Sequence, residues 1–121
     1  MNEPIGRLNM DSETKSHWVA ALRSGDYKQG TKVLRTVADS YCCLGVLCNL
    51  VDPNGWERSG VEIVNHDSYA FRYKGKRVYG ALPVDLQGEK HISPWVNIHL
   101  IHMNDSGSTF DQIADWIEEN L

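Results

Sequence analysis

Three cysteines, five histidines and one dense run of basic and aromatic residues are the side chains of this 121-residue chain with chemistry to offer. All three thiols fall in the stretch Tyr41-Cys-Cys-Leu-Gly-Val-Leu-Cys-Asn-Leu50, where Cys42, Cys43 and Cys48 could be metal ligands, a nucleophile or core. Zinc usually draws on paired knuckles with a second pair further on, and the Cys42-Cys43-x₄-Cys48 spacing has no second pair. His91, His99 and His102 could complete a site only by chance of folding, so no metal or other cofactor is expected. A nucleophilic thiol needs a lowered pKa, which a helix N-terminus can supply to Cys42 or Cys43. It also needs a base, and no histidine is selected by spacing. Free cysteine is among the most buried residue types, and core is the favoured role, above all for Cys48.

The charged residues are more informative. Arg72, Lys74, Lys76 and Arg77 crowd into six positions around Tyr73, flanked by Phe71 and Tyr79, in a chain whose net charge is −4. Such a hairpin could hold a phosphate by charge-assisted bonds and stack a base on a ring. The competing expectation is an edge hairpin kept soluble by its cations. A second basic stretch, Arg23, Lys28, Lys32 and Arg35, frames Tyr27 and Gln29-Gly30, a glycine turn without phosphate-loop spacing. The candidate ligand-binding residues are therefore Tyr27, Lys28, Gln29, Arg35, Arg72, Tyr73, Arg77 and Tyr79; no catalytic residue is assigned.

These residues need elements to position them. The length suits one domain, and 41% hydrophobic with 23% charged residues matches an ordinary globular protein. The acidic balance argues against coating nucleic acid or membrane through bulk charge. No run approaches the ~18 apolar residues of a membrane span, and MNEPIGRLNMDSE lacks a signal peptide's apolar stretch, so a cytoplasmic protein with reduced thiols is expected. Residues 1–10 read as a flexible leader, with one globular domain over 11–121. A helix is predicted from Ser12 to Ser24, capped by Ser12, with Trp18, Ala21 and Leu22 as its apolar stripe. Val33 and Leu34 suggest a short strand. Leu44, Leu47, Cys48 and Val51 recur with helical period, so the cysteine stretch is predicted to be a buried helix capped by Ser40 or Asp39. Gly45 inside it costs about 1 kcal/mol relative to alanine, which calls for close approach of a backbone or a ligand.

Val61–Val64 alternates in part. Tyr69–Tyr73 and Arg77–Tyr79 form a hairpin signature whose loop of two or three residues leaves the register open. Leu82-Pro83 opens a one-turn helix, residues 88–93 form a loop, and Trp95–Met103 is ambiguous between strand and helix. Ser108 and Asp111 offer a capping box for a helix to about Asn120, with Phe110, Ile113, Ala114 and Ile117 buried. The expected fold is α+β, two or three helices on a small antiparallel sheet containing the 69–79 hairpin.

Three stretches, "WVAALRSGDYKQGTKVLR", "YCCLGVLCNL" and "MNDSGSTFDQIADWIEENL", together resemble a family of small proteins widespread in bacteriophage and prophage genomes. Its members read W-x-x-A-L-R-S-G-x-Y-x-Q-G, C-C-L-G-V-L-C and L-N-D-x-G-x-(S/T)-F-x-x-I-A-D. The resemblance runs discontinuously over residues 17–121, with Met103 in place of the usual leucine, and it does not extend to Trp56–Trp95. It implies a phage-encoded accessory protein acting in the host bacterial cytoplasm, and it carries over no catalytic residue. The leading expectation is a binding protein that interferes with the host, by sequestering a nucleotide-like signal or blocking a host protein. A thiol enzyme using Cys42 or Cys43 and a phage structural or assembly protein are the alternatives. Homo-oligomerisation stays open.

Overall fold

A computed structural model describes residues 10–58 and 68–121. The expected leader, up to residue 9, and the alternating run at Val61–Val64 lie outside these residues. Met10, counted with the leader from the sequence, is buried in the core. The α+β class holds: α1 (Ser12–Arg23), β1 (Lys28–Gln29), β2 (Ser40–Tyr41), α2 (Cys43–Val51), β3 (Trp56–Arg58), β4 (Tyr69–Tyr73), β5 (Lys76–Val78), α3 (Val84–Glu89), α4 (Pro94–Asp105) and α5 (Phe110–Asn120). β3, β4 and β5 form an antiparallel sheet in that order, and β1 pairs with β2 in parallel.

α1 forms where predicted, one position out in its cap. Asp11, not Ser12, accepts from the Thr14 amide at 3.2 Å and also from the Thr14 hydroxyl. Those bonds hold its carboxyl below the usual carboxylate range. The helix buries Trp18, Val19 and Leu22, and the Trp18 indole N–H donates to the Cys43 carbonyl at 2.9 Å, which satisfies the polar atom of a fully buried ring.

α2 is buried from Cys43 to Cys48. Its cap differs from the expectation: Cys42 holds the N-cap position and has no side-chain bond to give. Asn104, from α4, accepts from the Cys43 amide at 3.2 Å instead, so a distant amide replaces the local hydroxyl cap. Gly45 has the backbone reason. A β-carbon there would lie 1.9 Å from the Leu34 carbonyl oxygen. Val33 and Leu34 are accordingly no strand but a crossing point against the helix. The Leu34 amide donates to Tyr79 at 2.7 Å and its carbonyl accepts from Cys42 at 3.1 Å. Strand-like bridges occur one and two residues after Leu34, Arg35 with Tyr41 and Thr36 with Ser68.

The hairpin loop has two residues, Lys74 and Gly75, with φ of 50° and 82°. Positive φ at both positions suits the twist of a two-residue hairpin, and it settles the register. Phe71 pairs with Val78, Arg72 with Arg77 and Tyr73 with Lys76. Trp56 pairs with Phe71, so Trp56, Phe71 and Tyr73 share one face while Glu57, Arg72 and Arg77 share the other.

Trp95–Met103 is helical, within α4, started by Pro94 behind a Ser93 cap that accepts from Val96 at 3.2 Å. In α3 Pro83 is the N-cap, and the helix extends through Gly88 and Glu89, which the sequence placed in a loop. The α5 capping box is Thr109 with Gln112, not Ser108 with Asp111. Phe110, Ile113, Ala114 and Ile117 are buried as their spacing required.

Candidate ligand-binding surface

Arg35 lies immediately after the Leu34 crossing point, which fixes its backbone against α2. Its guanidinium carbon stands 4.5 Å from the ring centre of Tyr69, 5.3 Å from Tyr41 and 5.4 Å from Trp56. Cation–π contacts of this kind contribute about 0.5 to 2 kcal/mol each, more as water is excluded. The side chain is 19% exposed and its carboxylate partner is Asp39, whose Oδ1 accepts from Nε at 3.1 Å and from a terminal nitrogen at 2.6 Å. Asp39 holds φ of 62° in the turn before β2, a conformation aspartate tolerates better than most residues.

The rings are braced from below. Tyr41 meets Tyr27 edge-on at 5.0 Å and Trp56 at 6.1 Å, and Trp56 meets Tyr69 at 6.5 Å and Phe71 at 5.1 Å. Asn49, on α2, accepts from the Trp56 indole at 3.0 Å and donates to the Tyr27 hydroxyl at 2.9 Å. Burial holds the Tyr41 phenol above its ordinary range, and Arg35 pulls it the other way. A continuous aromatic track therefore runs from the Tyr27 turn to the hairpin, with a cation at its middle.

The eight candidate residues do not form one patch. Tyr27 and Arg35 belong to the track, and Lys28 is exposed on β1 beside it. Gln29 points inward: its amide donates to Asn104 at 3.0 Å and to the Ser108 carbonyl at 2.7 Å, and its oxygen accepts from the Phe110 amide at 3.2 Å. It is a structural residue. Arg72 and Arg77 turn to the opposite sheet face, where both donate to Glu57, at 2.5 and 2.8 Å. The Arg72 bond, with the charges of both guanidiniums, holds Glu57 below the usual carboxylate range. Tyr73 is half-buried and donates to Glu89 at 2.6 Å; burial first, then this bond, pushes its phenol up to about 12. Lys74 also pairs with Glu89. Tyr79 contributes its backbone carbonyl to Leu34. Two carboxylates, Glu57 and Glu89, thus engage three of the four hairpin cations within the fold. Tyr41, Trp56, Tyr69 and Asn49 were missed from sequence. The signal available was that Trp56 and Tyr69 each open a strand and Tyr41 stands just before the cysteine helix, which period analysis does not weigh.

The thiols are core. Cys42, Cys43 and Cys48 are all buried; burial pushes Cys42 up to about 11 and Cys43 and Cys48 well above the ordinary thiol value. The Cys43 thiol donates to the Leu100 carbonyl at 3.7 Å. Two clefts flank α1. One, of about 240 Å³, lies over Leu47, Leu50 and Val51 with Glu13, His17 and Lys90 at its rim, and is smaller than most ligand pockets. The other, of about 480 Å³, is lined by Lys15, Val19 and Arg23. Its cations are already engaged, Arg23 by Asp115 and Glu118 at 2.7 and 2.5 Å, and Lys15 by the Glu118 carbonyl at 3.2 Å.

A family profile described as a domain of unknown function, DUF8296, matches residues 10–121. The chain belongs to this family. No curated protein and no solved structure matches it. The DUF8296 match begins at Met10, the residue whose side chain starts the buried core, and spans both the aromatic track and the helices that brace it. No helix among the described residues is long and apolar enough to cross a membrane.

Proposed function

We propose that this DUF8296 domain is a binding protein, not a thiol enzyme, and that its ligand is nucleotide-like: a planar ring joined to an anionic group. The observation that carries this reading is Arg35, partly exposed and held over Tyr41, Trp56 and Tyr69, its carboxylate partner among the described residues being Asp39 on an exposed turn. A phosphate competes with Asp39 for the guanidinium fork, and a base stacks on the accessible parts of the half-buried Trp56 and Tyr69 rings, with Tyr41 buried behind them, an arrangement in which each contact is worth about 1 to 3 kcal/mol. Lys28 adds a second cation at the rim. In the biological setting we propose, the protein is a phage or prophage accessory factor in the host bacterial cytoplasm, where it sequesters a nucleotide-like signal used by the host.

Thermal melts against mono-, di- and cyclic nucleotides test this. A ligand at 100 times its Kd stabilises the fold by about 2.7 kcal/mol, a shift of several degrees in Tm. Arg35→Ala, folded by circular dichroism, loses that shift. A panel in which no nucleotide moves the wild-type Tm sinks the ligand class; a shift retained in Arg35→Ala sinks the site. Iodoacetamide treatment of the native protein leaves Cys42, Cys43 and Cys48 unmodified by mass spectrometry, and rapid labelling of Cys42 would revive the thiol mechanism.

A further inference from the structure

α4 is apolar on two sides, and only one is covered. Val96, Asn97, Leu100 and Asn104 face inward and are buried. Trp95, Ile98, His99 and His102 fall at i, i+3, i+4 and i+7 on the outward side, with Trp95 58% and Ile98 64% exposed. Single exposed apolar side chains are ordinary, whereas a contiguous exposed patch such as Trp95 with Ile98 marks an interaction site. The aromatic groups are also fixed in advance. Trp95 stacks on His99 at 5.2 Å with planes 6° apart, and Trp116 of α5 packs on both, at 6.3 and 4.6 Å. Rings held by their own neighbours lose little freedom when a partner arrives.

We propose that this stripe is the contact face of a symmetric dimer of this chain. The charge distribution selects a second copy. Along α4 the one residue with a formal charge is its last, Asp105, in a chain of net charge −4 whose neighbouring helix α5 exposes Asp111, Asp115, Glu118 and Glu119. Two identical acidic molecules repel wherever their carboxylates face each other, and the α4 stripe lets them meet without that cost. The stripe is also self-complementary. A two-fold axis over Ile98 and His99 sets two α4 helices antiparallel and brings Trp95 of one protomer onto His102 of its partner, the isologous arrangement most dimers use. Each protomer offers about five side chains, well short of the roughly 20 to 30 residues a side of a standard interface, so the dimer is weak and concentration-dependent.

Sedimentation equilibrium from about 1 μM to about 500 μM reads this directly, a span that brackets weak association. The wild-type mass rises from 13.7 kDa to twice that value. Trp95→Ala raises the dimer Kd by about 30-fold or more, the effect of removing a central aromatic anchor, and Trp95→Lys abolishes association. Ile98→Glu is the second disruptive variant should Trp95→Lys fail to fold, and Val84→Ala, at an exposed apolar residue of α3, leaves the Kd unchanged. Wild type that stays at 13.7 kDa at the highest concentration overturns the proposal, as does a folded Trp95→Lys that dimerises like wild type. Nucleotide binding plays no part in this test, so its outcome is independent of the Arg35 surface.

Discussion

Replacing Gly45 by alanine separates local propensity from tertiary fit. Alanine in a helix interior gains about 1 kcal/mol over glycine, so helix propensity alone makes Gly45→Ala stabilising. The added β-carbon, however, would stand 1.9 Å from the Leu34 carbonyl oxygen and 2.7 Å from its carbon, where ordinary contact begins at 3.4 Å. The Leu34 backbone must retreat by about 1.5 Å, the difference between 3.4 and 1.9 Å. It is tied by bonds to Tyr79 at 2.7 Å and from Cys42 at 3.1 Å, and its side chain is fully buried. Stretching two buried hydrogen bonds costs about 1 to 3 kcal/mol each if the groups are left unsatisfied, and overpacking adds about 1 to 3 kcal/mol. After the propensity gain the net loss is about 2 to 8 kcal/mol, a large share of a domain's typical stability of about 5 to 15 kcal/mol. Urea unfolding followed by tryptophan fluorescence checks it: the midpoint falls while the slope stays near wild type. A midpoint at or above wild type would refute the claim that the Leu34 crossing, rather than chance, keeps a glycine in this helix.

Two further outcomes follow from side-chain bonds. Asn104→Leu leaves the Cys43 amide and the Gly30 carbonyl without this partner, removes one of the two acceptors of the Gln29 amide, and lowers stability by about 2 to 4 kcal/mol in urea melts, whereas an exposed-site control such as Asn120→Leu changes little. Glu57 and Glu89 are both held below the usual carboxylate range, Glu57 first by Arg72 and Glu89 first by Lys74. A carboxyl depressed in the folded state adds stability that is complete above its unfolded pKa and is lost as pH falls through the folded value. The urea midpoint of wild type therefore drops between about pH 5 and pH 2, and Glu57→Gln flattens that drop; an unchanged profile in the variant would show that the Glu57 bridges add nothing.

The helices were legible wherever apolar period, breakers and turn residues agreed. Phe110, Ile113, Ala114 and Ile117 announced α5, and Leu44, Leu47, Cys48 and Val51 announced α2. The caps were less legible because more than one residue at each start had a suitable side chain, and at α2 the capping atom comes from Asn104, 61 residues away. The hairpin was visible, and its register waited on the φ values of Lys74 and Gly75. The candidate surface was half legible. Basic residues can be counted in a sequence, but whether each is free depends on Glu57 and Glu89, which lie 15 to 20 residues from the arginines and tyrosine they engage. Arg35 drew no special weight beside the hairpin, because its three rings come from three separate parts of the chain.

Gln29 and Asn104 join residues 29, 30, 43, 104, 108 and 110, and α1 packs directly on α5. The first described helix and the last are thus mutual partners, with Arg23 reaching Asp115 and Glu118 some 92 and 95 residues onward. During synthesis the side of α1 that packs on α5 waits, uncovered, until α5 has been made. Long loop closures of this kind slow folding and prolong the exposure of apolar surface. A ribosome stalled before α5 would therefore present a chain that aggregates or recruits a chaperone, and emergence of α5 would act as the step that commits this domain to its native state.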